Sequence, residues 1–128
     1  MKLIIAGGRN LTASVDDIQA HINYFQLKPT EIVSGCAKGM DKAGENWAND
    51  NDKPIKQFPA NWRRNGKAAG PIRNTEMAEY GDALLLIWDG KSSGSGNMKK
   101  QMIQRGKPVY EVVLTGSNSY YNLIKGTD

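Results

Sequence analysis

Residues 32–41 read IVSGCAKGMD, a short apolar run followed by a turn with two glycines and the start of a helix. Small and apolar side chains then recur at helical spacing, at Met40, Ala43, Gly44, Trp47 and Ala48. This spacing predicts a helix with one face on a sheet. A turn at a helix start directs backbone N–H groups outward, and the helix dipole adds partial positive charge. The segment therefore predicts a strand, a phosphate-binding turn and a helix, and the alternative is a tight turn that binds nothing.

The composition is that of a small globular domain. With 128 residues, 39% of them hydrophobic and 23% charged, the chain is expected to form one domain over residues 1–128, with a polar tail over residues 114–128. Seventeen Lys and Arg against thirteen Asp and Glu give a net charge of +4, which favours an anionic partner. One cysteine allows no internal disulfide and fits a cytoplasmic protein. No apolar run reaches the length of a membrane span.

Strand and helix patterns alternate along the chain. Strands are expected at residues 2–6, 32–34, 53–58, 83–88 and 109–113. Pro54 places the third strand at an edge, and the uninterrupted apolar run ALLLIW indicates a central parallel strand. Right-handed crossovers then predict an α/β fold of the Rossmann-like three-layer type, with a five-stranded parallel sheet in the order 3-2-1-4-5. Among the helices, the first would begin at a Ser14 cap with Asp17 three residues later, and another would cover about residues 74–80.

Three glycine-rich turns are predicted at the carboxyl ends of strands, at residues 7–9, 34–39 and 89–96. Ligands of such sheets bind where the strand order reverses, between the first and fourth strands. A long basic connection, residues 59–71, is expected to fold over the ligand and carries Trp62, Arg63, Arg64 and Lys67, with Arg73 just beyond it. The alternative is a solvated loop with Trp62 in the core.

The ordered motifs resemble one family. They read AGGR at residues 6–9, VSGxAKGxD at 33–41, FPAxW at 58–62, GxAAGPIRNxEM at 66–77, DA at 82–83 and WDGxSxG at 88–94. This succession looks like the YspA/YpsA-related branch of the SLOG superfamily, over residues up to about 113. The superfamily includes LOG phosphoribohydrolases, DprA/Smf single-stranded-DNA-binding proteins and sensors of nucleotide-derived signals such as ADP-ribose derivatives. The resemblance implies a Rossmann-like fold that binds a nucleotide or a nucleotide-derived ligand.

The chain resembles LOG enzymes at the residues that bind the ligand, but it lacks their catalytic acid. Arg73 matches the arginine that begins a LOG helix, whereas Met98 stands where the LOG motif has its catalytic glutamate. We therefore expect no catalytic residue. The alternative is that another carboxylate replaces the glutamate, at Asp41, Glu45, Glu76 or Asp89. Asp89 is expected instead to accept a hydrogen bond from a ribose hydroxyl.

The predicted function is binding of a nucleotide-type ligand without catalysis. The alternatives are a phosphoribohydrolase-like enzyme and a single-stranded-DNA-binding accessory protein. The expected ligand-binding residues are Gly7, Gly8, Arg9, Ser34, Gly35, Lys38, Gly39, Asp41, Trp62, Arg73, Asn74, Trp88, Asp89, Gly90, Ser92, Gly94 and Ser95.

Other residue types have simpler interpretations. Cys36 is expected to act as a small hydrophobic residue and His21 to be structural, so no metal site is predicted. Apolar residues of the tail need burial, which predicts a homo-oligomer. They are Tyr120, Tyr121, Leu123 and Ile124.

Overall fold

The computed structural model describes residues 1–125 as one mixed α/β unit. The strands are β1 (Lys2–Gly7), β2 (Glu31–Ser34), β3 (Ile55–Gln57), β4 (Ala83–Trp88), β5 (Val109–Thr115) and β6 (Asn118–Ile124). The helices are α1 (Val15–Tyr24), α2 (Met40–Asp50), the one-turn α3 (Trp62–Asn65), α4 (Ala69–Tyr80) and α5 (Ser93–Gln104), and a short 3₁₀ turn (Gly66–Ala68) joins α3 to α4. Within these residues, no helix is both long and apolar enough to cross a bilayer.

The described strands form one sheet in the order β3-β2-β1-β4-β5-β6. The first five strands run parallel, in the order predicted from the sequence, and β4 pairs with β1 on one side and β5 on the other. All six residues of β4 are buried, as its continuous apolar run predicts. The short β3 lies at one edge, which agrees with Pro54 directly before it.

Successive side chains of β1 point to opposite faces of the sheet and meet different helices. Leu3 and Ile5 pack with residues of α1 and α2, including Trp47. Ile4 and Ala6 pack instead with residues of α4 and α5, including Met77. Because both faces are covered, Leu3, Ile4 and Ile5 each contribute about 1.5–3 kcal/mol of transfer free energy to folding.

The first helix begins where the sequence predicts. The Ser14 hydroxyl accepts a hydrogen bond from the Asp17 backbone N–H at 3.0 Å, and the Asp17 carboxylate accepts one from the Ser14 N–H at 3.1 Å. This reciprocal pair satisfies two backbone donors that a helix start otherwise leaves open. The expected Ser14 cap is confirmed.

The connection after β3 is shorter and more helical than predicted. Helix α4 begins at Ala69 rather than at Asn74, and α3 and the 3₁₀ turn occupy much of the expected loop. Pro71 is compatible with this start because the first N–H groups of a helix have no partner within the helix. The third strand covers only Ile55–Gln57 of the predicted residues 53–58.

The predicted polar tail is wrong over most of its length, because residues 118–124 form a sixth strand antiparallel to β5. The turn before it includes Gly116, whose φ of +58° favours glycine. Tyr121 is half-buried against α1, with its ring centroid 4.3 Å from that of Tyr24. Tyr120 and Leu123 stay 53% and 52% exposed. Residues 126–128 of the predicted tail lie outside the described residues.

Candidate functional site

A cavity of about 670 Å³, here called the main cavity, lies beyond the carboxyl ends of β1 and β4. It is bordered by the turns after both strands and by the first turns of α4 and α5. Eleven of the residues expected to bind a ligand line it, namely Gly7, Gly8, Arg9, Asp41, Trp62, Arg73, Asn74, Asp89, Ser92, Gly94 and Ser95. All three glycine-rich turns were expected to meet at the switch point. The first and third turns do line this cavity, whereas of residues 34–39 in the second turn only Ala37 does.

Two glycines permit the close contact between the turns. A Cβ atom on Gly7 would lie 1.7 Å from the carbonyl oxygen of Ile87, and one on Gly39 would lie 2.3 Å from that of Gly8. Gly39 also has a φ of +80°, which disfavours other residues. The Gly8 carbonyl accepts a hydrogen bond from the Met40 N–H at 3.2 Å, which ties the first turn to α2.

The first turn of α5 borders the main cavity with Ser93, Gly94 and Ser95, all uncharged. Within the described chain, the preceding Ser92 forms no side-chain cap on this helix. The Asp89 carboxylate instead organises the turn before the helix, and its Oδ1 accepts hydrogen bonds from the Lys91 and Ser92 N–H groups at 2.8 and 2.9 Å. These bonds hold the pKa of Asp89 below its usual value. The arrangement combines a helix N-terminus with an ionised side chain at the cavity rim.

Hydrogen bonds of Arg73 and Asn74 connect α4 to the turn after β2 and to α5. Arg73 is 8% exposed and donates through Nη1 to the Gly35 carbonyl and through Nε to the Asn74 side-chain oxygen at 3.0 Å. Asn74 donates in turn to the Asn97 side-chain oxygen at 3.0 Å and to the Gly94 carbonyl at 3.3 Å. The network links Arg73 through Asn74 to the first turns of α5, and part of the guanidinium fork is already engaged by the protein.

Asp41 supplies a buried carboxyl group to the main cavity. It is 5% exposed and accepts a hydrogen bond from the Ala37 N–H at 3.2 Å. Burial raises the pKa of Asp41 to about 6, although the Ala37 bond and the charge of Arg73 act in the opposite direction. Asp41 therefore changes protonation close to neutral pH.

Trp62 lies at the rim of the main cavity and is 51% exposed, so the alternative of Trp62 packed in the core is wrong. The Arg9 guanidinium lies over its ring, 5.7 Å from the centroid, within the range of a cation–π contact. Lys67 of the same connection also lines the cavity, whereas Arg63 and Arg64 are exposed outside its lining. The basic connection thus contributes one aromatic ring and one lysine to the site.

No family model matches the chain. Over 84 residues the chain is 32% identical to the Gene 61 protein of Mycobacterium phage D29, an alignment that covers 61% of this chain and 67% of the phage protein. The chain belongs to the Gene 61 family. The name Gene 61 protein states neither a ligand nor a reaction.

In this Gene 61 family chain, a second cavity of about 240 Å³, here called the small cavity, holds two further predicted residues, Gly35 and Lys38. Four predicted residues lie outside the lining of both cavities among the described residues: Ser34, Gly39, Trp88 and Gly90. Two of them form internal hydrogen bonds. The Ser34 hydroxyl donates to Glu45 at 2.6 Å, and the Trp88 indole N–H donates to Glu111 at 2.9 Å.

The main cavity also has lining residues that were not predicted as binding residues: Ala6, Asn10, Leu11, Ala37, Lys67, Gly70, Pro71, Met77, Ser93, Asn97 and Met98. Asn97 and Met98 follow Gly94 at helical spacing, so the periodicity of α5 contained a signal for them. Leu11 and Ala37 belong to turns whose path only the tertiary structure defines.

The four carboxylates considered as replacements for a catalytic glutamate have different environments. Asp41 and Asp89 line the main cavity together with Met98, whereas Glu45 accepts bonds from Ser34 and Gln57, and Glu76 is exposed outside the lining. Within residues 1–125, the structure shows no group of three or more His, Cys, Asp or Glu side chains that could hold a metal ion.

Proposed function

We propose that this protein binds a nucleotide or nucleotide-derived ligand in the main cavity without converting it. The supporting observation is the combination, in one cavity of about 670 Å³, of the α5 N-terminus, a buried arginine and an exposed tryptophan. This volume lies within the roughly 300–1,000 Å³ typical of small-molecule sites. A nucleotide combines an anionic phosphate, which suits the helix N-terminus and the arginine, with an aromatic base, which suits the tryptophan.

Each part of a nucleotide has a candidate contact in this proposal. The phosphate binds at the first turn of α5, beside Arg73, because helix N-termini and guanidinium groups both favour phosphate. The base stacks on Trp62. Asp89 Oδ1 accepts the hydrogen bonds from the N–H groups of the turn, and Oδ2 accepts one from a ribose hydroxyl of the ligand.

We also propose a fold type and a family branch for this protein. The strand order β3-β2-β1-β4-β5 and the helices on both sheet faces support a Rossmann-like fold, and the quoted motifs support membership of the YspA/YpsA-related SLOG branch. A nucleotide ligand also fits a cytoplasmic protein.

Native mass spectrometry of gently purified protein tests the binding proposal, with co-purified nucleotide as the expected result. Calorimetric titration with the 5′-monophosphates and 5′-diphosphates of the four common ribonucleosides gives an independent measurement. Absence of a bound nucleotide in the first experiment and of any binding in the second would refute the proposal.

Release of the free base from AMP tests the absence of catalysis. We expect no release above the uncatalysed rate, because Met98 lines the cavity where the resembling hydrolases have a glutamate. Chromatographic detection of adenine over hours, with buffer alone as the control, makes the measurement. Turnover that exceeds the control would overturn this expectation.

A phosphoribohydrolase-like enzyme is the second candidate, and Asp41 is the observation that favours it. A carboxyl group with a pKa of about 6 inside the cavity is suited to general acid–base catalysis near neutral pH. Turnover that is lost in Asp41→Asn and retained in Asp89→Asn would support this candidate. The reverse pattern would assign the chemistry to Asp89.

A further inference from the structure

The small cavity adjoins the main cavity and shares four lining residues with it: Arg9, Ala37, Trp62 and Arg73. Its other lining residues come from the turn after β2 and from the chain after β3, and they are Gly35, Cys36, Lys38, Pro59 and Ala60. The boundary between the cavities includes Trp62, with the Arg9 guanidinium over its ring.

The charges of the small cavity differ from those of the main cavity. Among the described residues, its lining contains three cationic side chains, Arg9, Lys38 and Arg73, and no carboxylate. The lining of the main cavity includes Asp41 and Asp89. A concave surface with positive charges alone attracts an anionic group.

The small cavity is suited to an extension of a ligand. Its volume of about 240 Å³ is below the roughly 300 Å³ at which separate small-molecule sites begin. Arg73 contributes to both cavities, so a molecule that contacts Arg73 in the main cavity lies next to the small cavity.

We propose that the ligand is a nucleotide with two anionic groups, one in the main cavity and the second in the small cavity beyond Arg9 and Trp62. This inference rests on the proposed function and specifies the ligand class: nucleoside diphosphates, bisphosphates and their derivatives bind more tightly than monophosphates. Lys38 recognises the second anion, because Lys38 lines the small cavity and not the main cavity.

The test compares two lysines that line different cavities. Lys38→Gln affects only the small cavity, and Lys67→Gln affects only the main one. Calorimetric affinities are measured for the 5′-monophosphate, the 5′-diphosphate and the 3′,5′-bisphosphate of adenosine, guanosine, cytidine and uridine, with thermal unfolding as the check on folding.

We expect the parent protein to prefer a diphosphate or bisphosphate to the matching monophosphate by at least tenfold. Lys38→Gln weakens the diphosphate or bisphosphate about tenfold more than it weakens the monophosphate, as the loss of one charged hydrogen bond does, and so removes a corresponding part of that preference. Lys67→Gln weakens both ligands equally.

Equal affinity of the parent for one-anion and two-anion ligands would overturn this inference and leave the proposed function standing. A preference that Lys38→Gln leaves intact would place the second anion elsewhere and would also overturn it. Absence of binding by every nucleotide in the panel would remove both proposals.

Discussion

At the scale of single residues, the side chains most suited to a ligand also hold the protein together. Arg73 donates to the Gly35 carbonyl and to Asn74, so part of its guanidinium fork is occupied before any phosphate binds. Asp41 lines the same cavity and is buried enough to titrate near pH 6. Substitutions at these positions therefore change both binding and folding, and experiments must separate the two effects.

Replacement of Arg73 by alanine should weaken nucleotide binding by ~2–5 kcal/mol, as truncation of one partner of a buried charged pair does. Arg73→Lys should recover little of this loss, because an ammonium group lacks the two-pronged geometry of a guanidinium. Calorimetry below the unfolding temperature of each variant measures the effect.

Arg64→Ala is the matched control for Arg73, since Arg64 is exposed outside the lining of both cavities. It should change the affinity by less than about 1 kcal/mol. If Arg73→Ala binds like the parent and Arg64→Ala does not, the proposed phosphate position is wrong.

Asp41 should make the stability depend on pH. Its pKa rises from 3.8 to about 6 on folding, so between these values the folded protein holds a proton that the unfolded chain has released. Stability therefore falls as pH rises from about 4 to about 6, by an amount on the order of 2 kcal/mol.

Asp41→Asn should remove this contribution, because an amide has no proton to lose in this range. Urea unfolding of the parent and of the variant at pH 3.5 and pH 7.5 measures the free energy of unfolding. The variant should gain stability relative to the parent at the higher pH. An identical difference at both pH values would show that Asp41 keeps its ordinary pKa.

At the scale of elements, the start of α5 is the feature on which the site depends. Its first turn contains Ser93, Gly94 and Ser95, and the absence of a side chain on Gly94 leaves space in the main cavity. A Cβ atom at Gly94 would meet no described atom within 4 Å. Glycine at this position thus serves the cavity rather than the packing of the helix.

Gly94→Ala should stabilise the protein by about 0.5–1 kcal/mol, because alanine loses less conformational freedom in a helix than glycine does. The same substitution should weaken nucleotide binding at least tenfold, since it places a methyl group at the cavity lining. Urea unfolding and calorimetry provide the two measurements.

Gly96→Ala is the matched control within the same helix. A Cβ atom there would lie 3.7 Å from the Trp88 ring, an ordinary contact, and Gly96 lies outside the lining of the main cavity. It should raise stability similarly and leave affinity unchanged. Unchanged affinity in Gly94→Ala as well would show that no ligand atom approaches the first turn of α5.

At the scale of the whole molecule, the sixth strand changes how association is expected to occur. Strand β6 forms one edge of the sheet and exposes Tyr120 and Leu123, whereas Tyr121 is half-buried against α1. A long edge strand with exposed apolar side chains is a surface that favours pairing with another chain. The predicted homo-oligomer thus has a specific candidate interface.

We expect a two-fold dimer at micromolar concentration by light scattering, through β6 of each copy. Replacement of both Tyr120 and Leu123 by serine should shift the protein to a monomer. Ile72→Ser, which changes an exposed apolar residue on α4, should leave the dimer intact. A monomeric parent protein would refute the prediction.

Local sequence patterns determined much of this protein. The helical spacing of apolar residues predicted α2, the Ser14 cap predicted the start of α1, and apolar runs predicted the five parallel strands. The alternation of strands and helices predicted the strand order that places the turns after β1 and β4 at one edge. The start of α4 at Ala69 was not predicted. The Ser14 cap and the buried β4 are likewise readable from adjacent residues. These features depend on interactions within a few residues, or on strong rules of chain connection.

Only the tertiary structure decided the partners of side chains that are distant in sequence. Arg73 reaches Gly35, 38 residues away, and this contact directs part of its guanidinium inward. Strand β6 forms because β5 offers an unpaired edge and α1 an aromatic surface for Tyr121. The sequence indicated only that the apolar residues of this segment need burial, and not that they form a strand. The pKa of Asp41 depends on burial by several elements at once. Such properties arise from packing between elements, which local sequence patterns do not encode.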